Sequence, residues 1–334
     1  MIKPEAKTIQ EIVKANLCTA CGTCAGICPQ SAIDLVVDNK RGIYVPKIYP
    51  NKCSLCGTCI ACCPGGSLNV DHLNLEIFGV QPDNVLVGNH ANCYTGHSTS
   101  HEIRYSSSSG GLITELLIFA LKNKLIDGVI VTKMNASDPL RPEPFLAKTK
   151  EEIVSASKSK YCPIPVNTML KEILKTEGRF AVVGLPCHIH GIRKAMKVNK
   201  KLSERIVLIF GLMCSFNRNF LATEFILQRL SIKKEEIIQL DYRGKGYMGN
   251  LSVSLRNGQV FSVPYLEYNQ WLRSFFSITR CFLCIDHTCE FADISFGDNC
   301  LPQFRKESIG SSILISRTQR GEQLLASART ADRI

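Results

Sequence analysis

Apolar positions along residues 109–263 recur with two different periods. Leu112, Leu116, Leu117, Ala120 and Leu121 share one face of a helix, the repeat of an amphipathic element packed on a core. Ser109, ahead of Gly110 and Gly111, predicts the cap from which that helix starts. The unbroken runs 126–131, 180–184 and 206–211 predict buried strands, and 237–242 a further one. Residues 166–175 and 220–230 read as helices. Segments 251–256 and 259–263 flank Asn257-Gly258, a turn signal that predicts a hairpin. Helices alternating with strands predict an α/β domain with a mixed sheet over 76–334, its C-terminal part starting near 160. Residues 1–75 lack this alternation and predict a separate, smaller α+β module.

Composition sets bounds on this picture. At 334 residues and 45% hydrophobic content, the chain has room for two or three domains with real cores. No apolar run reaches the roughly 18 residues that a bilayer span needs. Residues 1–17 contain no apolar core of signal-peptide length, so the 17 cysteines are expected reduced, in the cytoplasm. The net charge of +11 is spread thinly, with its densest clusters at 193–201 and 233–234, and reads mainly as solvated surface. Part of it suits an acidic cofactor or redox partner. Aromatic residues are few and not interleaved with the basic ones, which argues against nucleic acid as a partner.

The cysteines carry the chemistry. CTACGTCAGICP at 18–29 and CSLCGTCIACCP at 53–64 share one spacing, 35 positions apart. Each reads C-x2-C-x2-C-x3-C-P, the run that holds 4Fe–4S clusters in two-cluster ferredoxins, where the fourth cysteine crosses to the other cluster. Cys18, Cys21, Cys24 and Cys63 are therefore expected on cluster one, and Cys53, Cys56, Cys59 and Cys28 on cluster two. Gly22 and Gly57 let the backbone turn close to the sulfides. Structural zinc fits a duplicated four-cysteine run ending in Cys-Pro poorly. Cys62 is an extra thiol, and Cys63 is preferred to it on register alone.

Two predicted strands run straight into a cysteine, AVVGLPC at Cys187 and IVLIFGLMC at Cys214. Ligands bind beyond the carboxyl ends of parallel strands in α/β sheets, so parallel neighbours would place both thiols on one rim. CFLC adds Cys281 and Cys284, and four cysteines from three loops would make a third 4Fe–4S site. Cys289 and Cys300 stand as alternatives for the last places, while Cys93 and Cys162 read as packing thiols. His188 and His190 read as satisfied loop histidines. There is no Ser/His/Asp constellation, P-loop or G-x-G-x-x-G.

Taken together, SSSSGGLITELL, SKYCPIP, GLPCHIHG, FGLMCSF, YRGKG and CFLCIDHTCEFADISFGD resemble the family of beta subunits of coenzyme F420 hydrogenases and dehydrogenases, over about residues 1–325. The resemblance implies an N-terminal two-cluster ferredoxin module followed by a mixed α/β flavin domain. That domain would bind FAD and a third cluster on Cys187, Cys214, Cys281 and Cys284. It implies flavin contacts from Ser109, Gly110 and Gly111, from Ser159, Lys160 and Tyr161, and from Arg243, Gly244, Lys245 and Gly246. A Ser/Gly turn entering a helix suits a pyrophosphate, and Lys160, Arg243 and Lys245 would neutralise phosphate or flavin charge.

The implied activity couples hydride exchange with coenzyme F420 to one-electron transfer through the clusters to a ferredoxin or a partner subunit. The alternatives are the same flavin chemistry on another substrate, and a non-catalytic electron relay. Two departures from the family pattern are visible. Tyr247-Met248-Gly249 stands where many relatives have Trp-Pro-Gly, which alters the expected hydride-acceptor pocket. The chain also ends soon after SILISRTQRGEQLL, where relatives usually continue.

Overall fold

The computed structural model describes residues 8–304 and 307–334. Residues 1–7 of the predicted module, which open the stretch weighed as a signal peptide, lie outside them.

The module begins with helix Ile9–Lys14, capped by Thr8, whose Oγ1 accepts from the Glu11 amide at 3.3 Å. Strands β1 (Ile33–Asp38) and β2 (Ile43–Ile48) pair antiparallel. The duplicated cysteine runs fold alike. Each loop ends at a glycine in the left-handed region, Gly22 at φ 84° and Gly57 at φ 74°, from which the short helices Thr23–Ile27 and Thr58–Ala61 start. Helix Val70–Phe78 crosses the boundary drawn at residue 75.

The second domain is built on strands β3 (Asn92–Gly96), β4 (Gly128–Lys133), β5 (Glu143–Ala147), β6 (Phe180–Gly184), β7 (Ile206–Leu212), β8 (Ile237–Asp241), β9 (Asn250–Leu255), β10 (Val260–Pro264), β11 (Ile294–Asp298) and β12 (Ser312–Ser316). Seven of them form one mixed sheet in the order β3-β12-β11-β7-β6-β4-β5. Its centre, β11-β7-β6-β4, is parallel, and antiparallel strands close both edges. Ile130, Val182 and Ile209 point into one apolar core, while Val129, Val131, Ala181, Leu208 and Phe210 point into the other. Helices cover both faces, which explains why these strands read as unbroken apolar runs.

The hairpin about Asn257-Gly258 forms as expected, but its strands do not join the mixed sheet. β8, β9 and β10 make a separate three-stranded antiparallel sheet. Leu251, Val253 and Leu255 alternate with half-buried or exposed neighbours, the one-sided burial of a sheet with a wet face. The 166–175 helix opens with a 3-10 turn, Val166–Met169, before Leu170–Lys175. Ser109 caps nothing. Helix Leu112–Lys122 starts from Gly111 at φ 76°, where an added Cβ would meet the Arg104 backbone at 3.1 Å.

Module and sheet share a core. Ile27, Cys62 and Leu73 pack in the same cluster as Phe180, Val182, Ile189, Ile192 and Ile209. Asn167 ties them with its backbone amide on Cys21 O (3.0 Å) and its Nδ2 on both Thr23 Oγ1 and His188 O (2.8 Å each). A Cβ on Gly26 would lie 1.9 Å from Asn167 O, and one on Gly191 would lie 2.1 Å from Thr23 Oγ1. Overpacking of this kind costs about 1–3 kcal/mol. Gly26→Ala and Gly191→Ala are expected to lower the denaturant midpoint accordingly and to speed proteolysis between the module and the sheet. Wild-type midpoints in both variants would contradict the close approach.

Candidate functional site

The parallel pairing of β6 with β7 puts their carboxyl ends side by side. Cys187 lies in the first turn of helix Pro186–Val198, just past β6, and Cys214 lies just past β7. Cys281 sits in the 3-10 turn Thr279–Leu283, with Cys284 following it. Burial, then the nearby Cys21, Cys214, Cys281 and Cys284 thiols, push Cys187 well up from its ordinary range. Burial, then Cys281 and Cys284, push Cys214 up to about 12. The four predicted cysteines are thus electrostatic neighbours at one end of the sheet. Iron favours the deprotonated thiol, so a bound cluster would relieve this crowding, and an all-sulfur donor set suits iron–sulfur chemistry.

Of the alternatives for the last places, Cys289 has Cys214 as an electrostatic neighbour but faces the interior. Cys289 is fully buried, and a Cβ on Gly211 would come within 2.5 Å of its sulfur, so it fills space beneath the sheet end. Cys300 is exposed, 3.8 Å from the Tyr247 hydroxyl. Cys162 is buried as a packing thiol, whereas Cys93, expected to be another, lies exposed on edge strand β3.

In the module, thiols from both cysteine runs are electrostatic neighbours. Burial, helped by Cys21 and Cys63, raises Cys18 to about 12, and burial, then Cys21, Cys18, Cys63 and Cys59, raises Cys24 well up. Cys63 is raised to about 11 by burial and then by Cys21. Burial raises Cys59, which has Cys28 and Cys56 beside it. Cys56 is exposed, and hydrogen bonds from the Thr58 side chain and backbone lower it. Cys53 is half-buried in the same loop. Cys62 is fully buried in the shared apolar core, which leaves Cys63 facing the first set. Among the described residues, no three His, Cys, Asp or Glu side chains stand close enough together to hold one metal ion.

A second group gathers at the same sheet edge. Arg243, only 2% exposed, donates to Asp298 Oδ2 (2.6 Å), Ser108 O (2.6 Å), Met248 O (2.8 Å) and Tyr161 Oη (3.2 Å), and its guanidinium lies 4.7 Å from the Tyr265 ring centre. Burial opposes its charge, but Tyr161 and Asp298 outweigh that and hold it above its ordinary range. The Ser159 amide donates to Ser108 Oγ at 2.8 Å. Ser109 Oγ donates to Ser311 O (2.6 Å), and the Gly110 amide to Ser312 Oγ (3.0 Å). Gly246 N reaches Tyr105 O (3.0 Å) and Tyr247 N reaches Ser308 O (2.8 Å). The three segments expected around a flavin are thus brought together from positions about 130 residues apart in sequence.

Two of the expected charge roles do not fit. Lys160 Nζ is engaged by the carbonyls of Ala156 (2.7 Å), Ser157 (2.8 Å) and Lys158 (3.0 Å), and burial lowers it to about 7, so it closes a helix end instead of facing a phosphate. The Arg243 donors are likewise taken up by protein. Lys245, by contrast, is exposed and has no hydrogen bond or ion pair among the described residues. Helix Leu112–Lys122 has no side-chain cap, so its first-turn amides, which the helix itself cannot satisfy, provide an anion-binding end. That arrangement fits a pyrophosphate.

His188 is a satisfied histidine. Its Nδ1 accepts from the Leu185 amide (3.1 Å), its Nε2–H donates to Ile164 O (3.0 Å), and burial lowers it to about 4. His190 pairs with buried Asp286 at 2.8 Å. Sequence reasoning missed Ser108 and Asp298 as site residues. Asp298 ends an apolar run, as Cys187 and Cys214 do, so the strand-end rule applied to 294–298 would have found it.

A dicluster ferredoxin-like module joined to a mixed α/β sheet defines the class. Residues 93–171 and 177–334 match the N-terminal and C-terminal models of the coenzyme F420 hydrogenase/dehydrogenase beta subunit, and residues 17–67 match a 4Fe-4S dicluster domain. The chain belongs to the family of coenzyme F420 hydrogenase/dehydrogenase beta subunits. It is 28% identical to the coenzyme F420 hydrogenase subunit beta of Methanothermobacter thermautotrophicus, over 73% of this chain and 83% of that one. It is 27% identical to one of the F(420)H(2) dehydrogenase subunits of Methanosarcina mazei, over 94% and 83%. A chain of the F420-reducing [NiFe] hydrogenase complex from Methanosarcina barkeri superimposes with a TM-score of 0.60 at 25% identity, covering 75% of this chain and 83% of that one. No helix among the described residues is long and apolar enough to cross a membrane.

Removing the carboxylate beside a buried guanidinium leaves an uncompensated charge. Asp298→Ala is therefore expected to cost about 3 kcal/mol, read as a fall in the urea midpoint, with Asp298→Asn falling less. No fall in the alanine variant would show that Arg243 does not depend on this partner.

Proposed function

We propose that this chain is an iron–sulfur flavoprotein oxidoreductase coupling hydride exchange with coenzyme F420, at FAD, to one-electron transfer through three 4Fe–4S clusters. The observation that carries the reading is that β6, β7 and β11 deliver the cysteine rim and the Arg243 group to one sheet edge. Flavin, when bound, exchanges a hydride with a two-electron carrier and single electrons with clusters.

The residues divide the work. The amides of Leu112 and Ile113 face the pyrophosphate, and Arg243 locks Ser108, Tyr161 and Met248 so that the walls of the site cannot spread. Lys245 stands in solvent, where it attracts the acidic tail of the deazaflavin. Cys187, Cys214, Cys281 and Cys284 hold the third cluster, and the module holds the other two. Cys187 has Cys21 as a neighbour, so cluster one lies next along the path. The exposed Phe282, Leu283 and Ile285 around Cys284 offer the one-electron partner, a ferredoxin or another subunit, an apolar place to dock. A cytoplasmic setting keeps this many thiols reduced.

Anaerobically purified protein is expected to carry about twelve irons, three clusters' worth, and one FAD. Cys284→Ser should lose about four of those irons. An unchanged count would remove the third cluster from this rim.

Stopped-flow mixing with F420H2, NADH and NADPH in parallel tests the substrate. Fast bleaching of flavin absorbance by F420H2 is expected. Bleaching by NADH alone, in protein shown to hold FAD, would favour another hydride donor at Tyr247–Gly249. Lys245→Ala should raise KM for F420 severalfold with little change in kcat, and salt should mimic it, since exposed charges are screened over about 8 Å at physiological ionic strength. Equal losses in kcat would place Lys245 in the chemistry instead.

A further inference from the structure

Helix Pro186–Val198 presents one face to the module at helical spacing. Cys187, at its start, has Cys21 as an electrostatic neighbour. One turn on, Gly191 lies flush against Thr23. One turn further, Lys194 Nζ donates to Cys63 O at 2.9 Å and to Ser67 O at 2.6 Å. At the far end Lys197 Nζ meets Glu76 Oε1 at 2.7 Å. The element that begins with a ligand of the third cluster thus ends on the segment that closes cluster one, and its one half-buried ammonium lies against the crossing ligand.

We propose that Lys194 is a positioning residue that fixes the Cys63 arm of cluster one and keeps that cluster easier to reduce than it would otherwise be. The proposal rests on the reading that Cys18, Cys21, Cys24 and Cys63 hold a cluster, and is independent of which hydride carrier reacts at the flavin. The step concerned is the arrival of one electron. No bond forms or breaks and no proton moves, and the cluster gains one negative charge. An ammonium held nearby in a poorly screened site stabilises that added charge, and hydrogen bonding and net charge around the sulfurs are established levers on cluster potential. Both carbonyl acceptors are backbone atoms, so they fix where the charge sits without cancelling it. Lys197, on the same face, is neutralised by Glu76 and touches no cluster ligand.

The experiment is an anaerobic redox titration of the full-length protein, with dithionite as reductant and no F420 present, followed by electron paramagnetic resonance, with iron counted in each sample. In Lys194→Met one of the three one-electron steps should become harder. At the wild-type midpoint of that step, the oxidised-to-reduced ratio should rise about tenfold, about 59 mV for one electron. The other two steps should not move. Lys194→Arg should stay near wild type, and Lys197→Met should leave all three steps in place. Loss of about four irons from Lys194→Met but not from Lys194→Arg would also support the assignment. Three unmoved steps in Lys194→Met at full iron content, an equal shift or equal iron loss in Lys194→Arg, or the same shift in Lys197→Met would each overturn it. Because the titration omits F420, it can succeed where the stopped-flow test fails, and the wild-type iron count shows separately whether cluster one exists.

Discussion

The proposed passage of electrons between module and sheet depends on how closely helix Thr23–Ile27 approaches helix Pro186–Val198. Gly191 leaves no room for a Cβ against Thr23, and Gly26 none against the Asn167 backbone, while Asn167 reaches from a third element to bond Cys21, Thr23 and His188 together. Thr23 is completely buried there. Electron tunnelling falls steeply with distance, so a module on a loose tether would find its acceptor only intermittently. The polar bonds at the crossing fix register, while Ile27, Cys62 and Leu73 supply the apolar area that makes it adhesive.

The second constraint is the buried Arg243. A guanidinium taken out of water is tolerable only where its donors are satisfied and its charge is paired. Here four acceptors from four separate segments satisfy it. Those segments are the loops that shape the proposed flavin site, so the cost of burying the charge is turned into rigidity where catalysis needs preorganised walls. Lysine in this place would lack the planar fork needed to reach carboxylate, phenol and two carbonyls at once.

Legibility from sequence followed the strength of local signals. The 180–184 strand is found at the predicted bounds, and 206–211 and 220–230 within a residue, because unbroken apolar runs and helical faces are written in adjacent residues. The dicluster module was legible from cysteine spacing, and Cys62, set aside on register, lies fully buried in the shared apolar core. What stayed hidden lies in tertiary structure. Ser109 looked like a cap because serine caps are common, yet Gly111 alone tolerates the left-handed turn beside Arg104. Lys160 looked like an anion ligand because nothing in its neighbourhood reveals three carbonyls aimed at its ammonium. The hairpin was legible, but not the sheet to which it belongs.

The same distinction changes the meaning of the chain's positive charge. The run 193–201 reads as solvated surface, yet its first members point inward. Arg193 Nε donates to Phe291 O at 2.8 Å, and Lys194 to Cys63 O and Ser67 O, whereas the exposed Lys197 pairs with Glu76. Arg317 is likewise buried, donating to Val87 O, Asn89 O and Thr288 O. These cations close carbonyls that no sheet or helix ladder reaches, and carbonyls attract them without neutralising them. Of these cations Lys194 is the one bonded to an expected cluster ligand, where it satisfies the Cys63 carbonyl and keeps its charge. The surplus of +11 nevertheless lies mainly outside the core, since among the described residues the buried charges are Arg205, Arg243 and Arg317 against Glu115, Asp286, Glu290 and Asp293.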